Sequence, residues 1–432
     1  MKKICLRLFA LLMPLALPAQ AQTLEECYQA AEQNYPLIRQ YDLINRTADA
    51  TVANLQTGWL PQISALAQAS VQSDVAAWPS QMQTMLNQMG ISLKGLKKDQ
   101  YRVGIDINQA VYDGGTIKSQ KQIARQQAEV QTAQNEVSLY QVRKRVNEMF
   151  FSLLFIDEQI GLNKDLQQLL EANEQKLSNM FKQGTASESD YNAVRAERLN
   201  AQQQLVSLQS QRRTLATLLS TFCGLEVENP TKPSIEEASE LSLGEAGRSN
   251  LRPELKALDA QLRLTDARQQ ALDAALKPRL SLFATGYYGY PGFNMFEDMM
   301  SHQWSLNGMI GARLTWNIGA LYTRKNDKAA LDFQRQSIDV QRETFLFNNR
   351  LEQIQQNENV ERYRQLMTGD SEIIDLRSKV RKAAESKLSH GIIDVNDLIK
   401  EINAENAAKV QQSVHEIEML KEIYYLKYTT NK

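Results

Sequence analysis

The residues that most often catalyse reactions or bind metals are few in this sequence, and none of them forms a known motif. The three histidines, His302, His390 and His415, have no second ligand at the spacing of a metal site. No Ser-His-Asp order, phosphate-binding loop or dinucleotide-binding glycine pattern is present. We therefore predict that the chain is not an enzyme and has no cofactor and no metal centre.

Two predicted loops are rich in methionine, and one of them also contains a histidine. Thioethers are ligands that suit soft Cu(I). Methionine also fills irregular apolar loops, because its side chain adapts to its surroundings. We favour this packing role over a metal site. The residues concerned are Met82, Met85, Met89, Met295, Met299, Met300 and His302.

The first 21 residues have the features of an export signal. Lys2 and Lys3 precede an apolar stretch that is too short to span a bilayer as a helix. Ala19-Gln20-Ala21 then has the small residues of a cleavage site. We predict that residues 1–21 are a signal peptide and that the mature chain has no transmembrane helix.

Two cysteines, Cys27 and Cys223, follow the predicted signal. An oxidising periplasm would allow their thiols to pair. One possible bridge is not a disulfide framework, however, and two separate thiols on helices are the interpretation that we favour.

The chain contains an internal repeat. Pro36 and Pro253 each begin a helical stretch, and a second proline follows each at the same distance, Pro61 and Pro278. Each half is predicted to form a helix, two strands joined by a loop, a long helix, a turn and a final helix. The first repeat covers residues 22–228, a linker covers 229–250, and the second repeat covers 251–432.

Four segments alternate between apolar and polar residues. This pattern is typical of a strand with one apolar face and one face exposed to water. We predict strands at about 62–72, 101–112, 279–288 and 304–318. Their length is close to the ~9–11 residues of a membrane strand. Aromatic residues near their ends resemble the girdles of outer-membrane barrels. An ordinary soluble sheet is the commoner use of such strands, but the export signal favours a barrel.

Four strands are too few to close a barrel, and an open edge is excluded from hydrocarbon because its backbone groups would be unsatisfied. Several chains must therefore share one barrel. Two chains would give eight strands and a filled interior, whereas three would give twelve strands and room for a pore. A barrel that conducts substrates needs room for a pore, and therefore three chains.

Long helices are predicted at 116–183 and 320–390, because each stretch has no proline and one glycine. At ~1.5 Å per residue each would be roughly 100 Å long. We expect a kink or break at Gly369-Asp370-Ser371 in the second. Shorter helices are predicted at about 24–58 and 187–222. The formal net charge of −1 gives no indication of a nucleic-acid partner.

In the order of its motifs the sequence resembles the TolC-like outer-membrane efflux proteins over essentially its whole mature length. The motifs that carry the resemblance are Thr23-Leu24-Glu25-Glu26, Asn34-Tyr35-Pro36, Trp59-Leu60-Pro61-Gln62, Val111-Tyr112-Asp113-Gly114-Gly115, and Phe181-Lys182-Gln183-Gly184 with Asp190, echoed by Ser389-His390-Gly391 with Asp397. The resemblance implies a homotrimer with a twelve-stranded barrel in the outer membrane and a helical tunnel in the periplasm. It also implies partners, namely a periplasmic adaptor protein and an inner-membrane transporter, as well as outer-membrane lipid.

The resemblance also implies roles for the two turns between helices. Adaptor docking would fall on Lys182, Gln183, Gly184, Thr185, Ser389, His390, Gly391 and Ile392. In some members an acidic ring narrows the inner mouth. Here Asp397 would belong to such a gate, with Asp394 nearby and Lys400 in place of a second acid. For Asp190 we predict a helix cap, and for Asp397 the cap and gate roles both stand.

These observations predict a passive, mainly α-helical outer-membrane channel with a membrane β portion, the exit duct of a tripartite efflux pump or a type I secretion system. The alternative is an exported coiled-coil structural protein without a pore, which would leave the four strands without a role.

Overall fold

The computed structural model describes residues 22–91, 95–236, 238 and 251–431. The predicted signal peptide and most of the predicted linker lie outside this range. The chain divides into two compact units, and each takes segments from both predicted repeats. The first unit lies within residues 1–40, 134–255 and 343–432, and the second within 41–133 and 256–342.

The second unit contains one antiparallel sheet of four strands that are neighbours in chain order. The strands are β1 (Gln62–Val71), β2 (Asp99–Tyr112), β3 (Arg279–Tyr290) and β4 (Ser305–Thr315). Two short helices that the sequence did not predict join the strand pairs, α3 (Ser80–Gln88) after β1 and α7 (Met295–Ser301) after β3.

The last predicted strand is shorter than expected. The sequence predicted it to run to Ile318, but β4 ends at Thr315. The indole nitrogen of Trp316 donates a hydrogen bond to the carbonyl oxygen of Leu276, at 2.9 Å. Trp316 and Ile318 therefore belong to the connection between β4 and the next helix, and the prediction that they continue the strand is wrong.

The long helices of both predicted repeats are present. They are α4 (Thr116–Lys182) and α8 (Ala320–Ser389), each followed after a turn by a 36-residue helix, α5 (Glu188–Cys223) and α9 (Val395–Thr430). The helix α6 (Pro253–Ala275) precedes β3. No described helix has the length and apolar character needed to cross a membrane.

The prediction of one helix from about residue 24 to 58 is wrong, because the chain is interrupted near Pro36. A helix α1 (Leu24–Asn34) is followed by a 3-10 turn (Pro36–Arg39) and then by α2 (Gln40–Gln56). Proline disfavours a helical conformation in the residue before it, and Tyr35 is accordingly extended, with φ −63° and ψ 131°.

The predicted break at Gly369 is also wrong, since α8 is continuous there; the kink proposed as the alternative stays a prediction. Glycine costs a helix about 1 kcal/mol relative to alanine, an amount that packing can offset. Asp370 is buried, and its Oδ2 lies 2.9 Å from Nδ1 of the buried His415 on α9. This contact fastens α8 to α9 at the position where a break was expected.

Two apolar clusters hold the helices of the first unit together. The larger one packs α1 and the end of α5 against the middle of α4 and the end of α9, around Phe150, Phe151 and Leu420. The other joins α4, α5, α8 and α9 close to the two turns, around Leu170, Leu398 and Ile402.

Candidate functional site

The register of the four strands places apolar residues in rows on one face of the sheet. One row contains Ile63 on β1, Ile107 on β2, Ala284 on β3 and Ile310 on β4, each directly opposite the next. Leu280 and Leu314 form a neighbouring pair on the same face. Because side chains alternate along a strand, this register gathers the four predicted apolar faces into one continuous surface.

That apolar surface is open in the single chain. On the edge strand β4, Leu306 is 83% exposed, Ile310 84% and Leu314 69%, and on the other edge Ile63 is 69% exposed. Contiguous apolar surface of this kind marks a contact with lipid or with another protein.

The opposite face of the sheet is mainly polar and carries its own hydrogen bonds. Thr285 on β3 donates to Asp106 on β2 at 2.7 Å. The guanidinium of Arg102 on β2 donates from Nε to Oε1 of Gln68 on β1, at 2.8 Å. The sheet therefore has one wet and one apolar face, as the alternation in the sequence predicted.

Aromatic residues gather at one end of the sheet. Trp304 lies just before β4, with its ring centroid 6.2 Å from that of Tyr101 on β2 and 5.4 Å from that of Tyr288 on β3. All three residues belong to the predicted aromatic girdle.

The first turn, residues 183–187 between α4 and α5, contains the first set of predicted docking residues. Gly184 is left-handed, with φ +76°, and its N–H donates to Phe181 O while that of Thr185 donates to Met180 O, both at 2.9 Å. This is a Schellman motif, in which two backbone N–H groups satisfy the last carbonyls of a helix. The predicted docking residues Lys182, Gln183, Gly184 and Thr185 are all exposed.

The second turn, residues 390–394 between α8 and α9, has the same backbone. Gly391 has φ +68°, and the N–H groups of Gly391 and Ile392 donate to Leu388 O and Lys387 O, both at 3.0 Å. The predicted docking residues Ser389, His390, Gly391 and Ile392 are exposed, and Ile392 is 69% exposed. His390 differs from its counterpart in the first turn because its Nδ1 lies 2.7 Å from Ser386 O.

The helix that follows each turn begins with a different cap. At the start of α5, Ser187 and Asp190 form a complete capping box, since each side chain accepts from the other residue's N–H, at 3.1 and 3.2 Å. The prediction that Asp190 is part of a cap is confirmed. Thr23 and Glu26 form a capping box of the same kind at the start of α1.

At the start of α9, Asp394 is the cap and Asp397 is not. The Asp394 side chain accepts the Asp397 N–H at 2.9 Å. The carboxylate of Asp397 instead lies 3.3 Å from Lys400 Nζ, in a pair whose side chains are 50% and 75% exposed. The three predicted gate residues therefore lie within the first two turns of α9, and the carboxylate of Asp397 is not used to start the helix.

One apolar cluster lies beneath both turns. Leu177 and Val194 of the first hairpin pack in the same cluster as Leu388 and Leu398 of the second. Ala186 and Ile393, which belong to the turns themselves, pack against it. The two sets of docking residues, far apart in the sequence, thus share one support.

Each hairpin has an ion pair that joins its two helices near the turn and that was not predicted from the sequence. Arg198 on α5 pairs with Glu174 on α4, and Arg381 on α8 pairs with Glu405 on α9. The internal repeat was the signal that would have found them, because Glu174 and Arg198 stand at the same distances from Gly184 as Arg381 and Glu405 do from Gly391. Acid and base have exchanged places between the two pairs.

The methionine-rich loops do not form a conventional metal site. Within the described ranges, no group of three or more His, Cys, Asp or Glu side chains is placed to hold a metal ion. Met299 is buried in a small cluster with Leu96 and Tyr290, which is a packing role. His302 Nε2 lies 2.6 Å from Gly95 O.

Comparison with known proteins gives a sequence match over the first half of the chain and structural matches over most of it. The sequence model of the outer membrane efflux protein family matches residues 27–225. No curated protein matches the chain. Among solved structures, the outer-membrane channel OprN is 14% identical with a TM-score of 0.66, over 94% of this chain and 89% of that one.

Two further channels have the same fold. The outer membrane protein VceC of Vibrio cholerae is 11% identical, with a TM-score of 0.65 over 94% of this chain and 95% of its own. The MtrE outer membrane channel of Neisseria gonorrhoeae, solved in its open state, is 14% identical, with a TM-score of 0.62 over 94% of this chain and 88% of its own. The match over residues 27–225 and the fold shared over 94% of the chain confirm the resemblance: the first half of this chain matches the outer membrane efflux protein family, and the chain has the fold of TolC-like outer-membrane channels.

Proposed function

We propose that three copies of this chain form an outer-membrane channel that extends into the periplasm. In this assembly the channel is the exit duct of a tripartite efflux pump or a type I secretion system, and it conducts its substrates passively. An adaptor protein and an inner-membrane transporter are the partners that would deliver those substrates. The continuous apolar face of the four-stranded sheet is the observation that carries the proposal.

The edges of the sheet support the sharing of one barrel. β1 and β4 each pair on one side only. In hydrocarbon, the backbone groups on their other sides would each cost several kcal/mol if they stayed unsatisfied. Pairing of β4 of one copy with β1 of the next removes both edges. Three copies then give twelve strands, enough to enclose a pore, with the polar face of each sheet inside.

The helix α8 supports the same assembly. Phe347, Leu351 and Ile354 follow a helical spacing and are 63%, 50% and 52% exposed in the single chain. Residues at this spacing lie on one side of a helix, so they form an apolar stripe that the described part of the same chain leaves exposed. A second copy of the chain would cover it.

We also assign roles to the turns within the same proposal. Adaptor docking falls on the exposed residues at the end of α4 and at the end of α8, and Asp397 with Lys400 and Asp394 lines the gate at the inner mouth. The carboxylate of Asp397, which pairs with Lys400 at the surface and does not cap α9, supports this role.

A matched pair of substitutions on β4 tests the channel. Ile310 lies on the apolar face, and its neighbour Met309 lies on the polar face opposite Thr285. Ile310→Arg puts a charge into lipid, at about 2–4 kcal/mol near the bilayer centre. Met309→Arg puts the same charge into the bore. We expect Ile310→Arg to abolish recovery of membrane trimers, and Met309→Arg to keep the trimers while changing single-channel conductance in planar bilayers.

Two results would contradict the proposal. One is wild-type protein that forms detergent-resistant trimers or monomers but gives no conductance, as the coiled-coil alternative requires. The other is an equal effect of the two arginine variants on assembly, because a sheet buried on neither face or on both would not distinguish them.

A further inference from the structure

The structure brings the two mature cysteines together. Cys27 lies on α1 and Cys223 is the last residue of α5, and both are buried, at 0% and 3% exposure. Cys223 Sγ lies 3.5 Å from the carbonyl oxygen of Cys27. We predicted two separate thiols from the sequence. In the folded chain both cysteines are free, and they lie next to each other.

Contacts on both sides of the pair hold α1 against the end of α5. After Cys27, the Asn34 side chain donates from Nδ2 to Thr221 O and Phe222 O, at 3.1 and 3.2 Å. Before Cys27, Gln22 donates from Nε2 to Glu226 O at 2.7 Å. Hydrogen bonds from side chains to the backbone on both flanks therefore hold the two cysteine-containing segments together without any contribution from the sulfurs.

Other uses of two adjacent thiols fit less well. A metal ion would need further ligands, and in the part of the chain that the structure describes no group of three or more His, Cys, Asp or Glu side chains is placed to hold one. A reactive or sensing thiol must be reached by its substrate or oxidant, which the burial of both cysteines prevents.

We propose that Cys27 and Cys223 form a disulfide bond that ties α1 to the end of α5 in the exported protein. The two thiols lose two protons and two electrons as the S–S bond forms. A protein or small-molecule disulfide of the oxidising compartment accepts them and leaves as two thiols. The inference needs export from the reducing cytoplasm, and it does not depend on the chain forming a channel.

The bond forms before α1 is packed in place. Both thiols are buried once the chain has folded, and an oxidant must reach a thiol to react with it. A folded chain with reduced cysteines is therefore slow to oxidise. Formation during folding closes a loop that includes all of α2, β1, β2, α4 and α5, and long loops gain the most from a cross-link in the chain-entropy description.

Peptide mapping tests the bond directly. The exported protein is quenched in acid, unfolded, alkylated without reduction and digested. We expect one disulfide-linked pair of peptides containing Cys27 and Cys223, which disappears when reductant precedes alkylation. Recovery of both cysteines as alkylated single peptides overturns the proposal. The Cys27→Ser variant is the control, and its Cys223 peptide must be recovered as a free, alkylated thiol.

Thermal unfolding gives a second readout that does not need a variant to fold. We expect reductant to lower the unfolding midpoint of the wild type by roughly 5–10 °C. We expect no such shift in Cys27→Ser, in Cys223→Ser or in the double variant, and the three midpoints to be similar. Two unbonded thiols would instead give a wild-type midpoint that is insensitive to reductant, and that result also overturns the proposal.

Discussion

The two turns that end the helical hairpins have one backbone conformation but different side-chain chemistry. Gly184 and Gly391 have φ values of +76° and +68°, and each turn is closed by the same pair of backbone hydrogen bonds. The first turn then uses Ser187 and Asp190 as a reciprocal cap, whereas the second uses Asp394 alone and leaves the carboxylate of Asp397 to Lys400.

The ion pairs behind the turns differ in the same way. Glu174 and Arg198 form a pair whose side chains are 14% and 30% exposed. In the second hairpin Arg381, which is 11% exposed, contacts both Glu385 and Glu405, and Glu405 is 5% exposed and also pairs with Lys409. The second hairpin therefore depends more on buried charge. The carboxylate of Asp397 after its turn is not needed for the cap and is available for another function. This contrast leads to three predictions.

The largest expected effect is the loss of the arginine behind each turn. Arg381→Ala removes the partner of Glu385 and leaves Glu405 with Lys409 alone, and breaking a buried pair costs about 3–5 kcal/mol. Arg198→Ala leaves one, more accessible acid, and we expect about 1–2 kcal/mol, between that figure and the ~0–1 kcal/mol of an exposed pair. Hydrogen exchange of the α8–α9 and α4–α5 amides would measure the two losses. An equal effect in both hairpins would contradict the comparison.

Acid provides a further check on this prediction. Desolvation raises the pKa of Glu405, but hydrogen bonds from Lys409 and Arg381 outweigh it, and the net pKa is lowered from the ordinary value. A carboxylate with a lowered folded pKa stabilises the fold above its unfolded pKa, and the contribution is lost as the pH falls through the folded value. Exchange near α9 should therefore accelerate as the pH falls below about 4, and Arg381→Ala should remove part of this dependence.

Removal of the helix caps should give the second largest difference in stability between the two hairpins. Ser187→Ala removes one hydrogen bond but leaves the Ser187 N–H donating to Asp190, so we expect a cost of roughly 0.5–1 kcal/mol at the start of α5. Asp394→Ala removes the side-chain cap of α9, and we expect roughly 1–1.5 kcal/mol. Hydrogen exchange of the first amides of each helix would measure these costs. The double variant Ser187→Ala with Asp190→Ala should cost the start of α5 as much free energy as Asp394→Ala costs the start of α9. If the two costs still differ, the capping box is not the source of the difference.

The smallest effect on stability is expected at Asp397. Its pair with Lys400 is exposed, and such pairs contribute about 0–1 kcal/mol, so Asp397→Asn should leave the hairpin intact. If Asp397 lines the gate, the same substitution should change cation preference and conductance in planar bilayers, and Lys400→Gln should change them in the opposite direction. Asp190→Asn is the matched control, since its carboxylate is used in a cap. Unchanged conductance in Asp397→Asn would exclude the gate role.

The features that the sequence predicted well depend on local chemistry. Alternation with a period of two was sufficient to locate the four strands, since each strand's faces depend only on its own residues. The absence of proline located α4 and α8 to within a residue or two of their ends, and glycine located both turns. The capping residues of α1 and α5 were readable because a cap is formed by residues three apart.

The features that only the tertiary structure decided depend on residues far apart in the chain. The continuity of α8 through Gly369 depends on His415, and the end of β4 depends on a hydrogen bond from Trp316 to Leu276. The pairing of Arg381 with Glu405 and the approach of Cys27 to Cys223 arise from helices that meet only after folding. The sequence by itself thus determined the elements and the faces that they present, because these follow from residue type and spacing. Which side chains meet was decided by packing, because a contact energy exists only when two distant segments are brought within a few ångströms of each other.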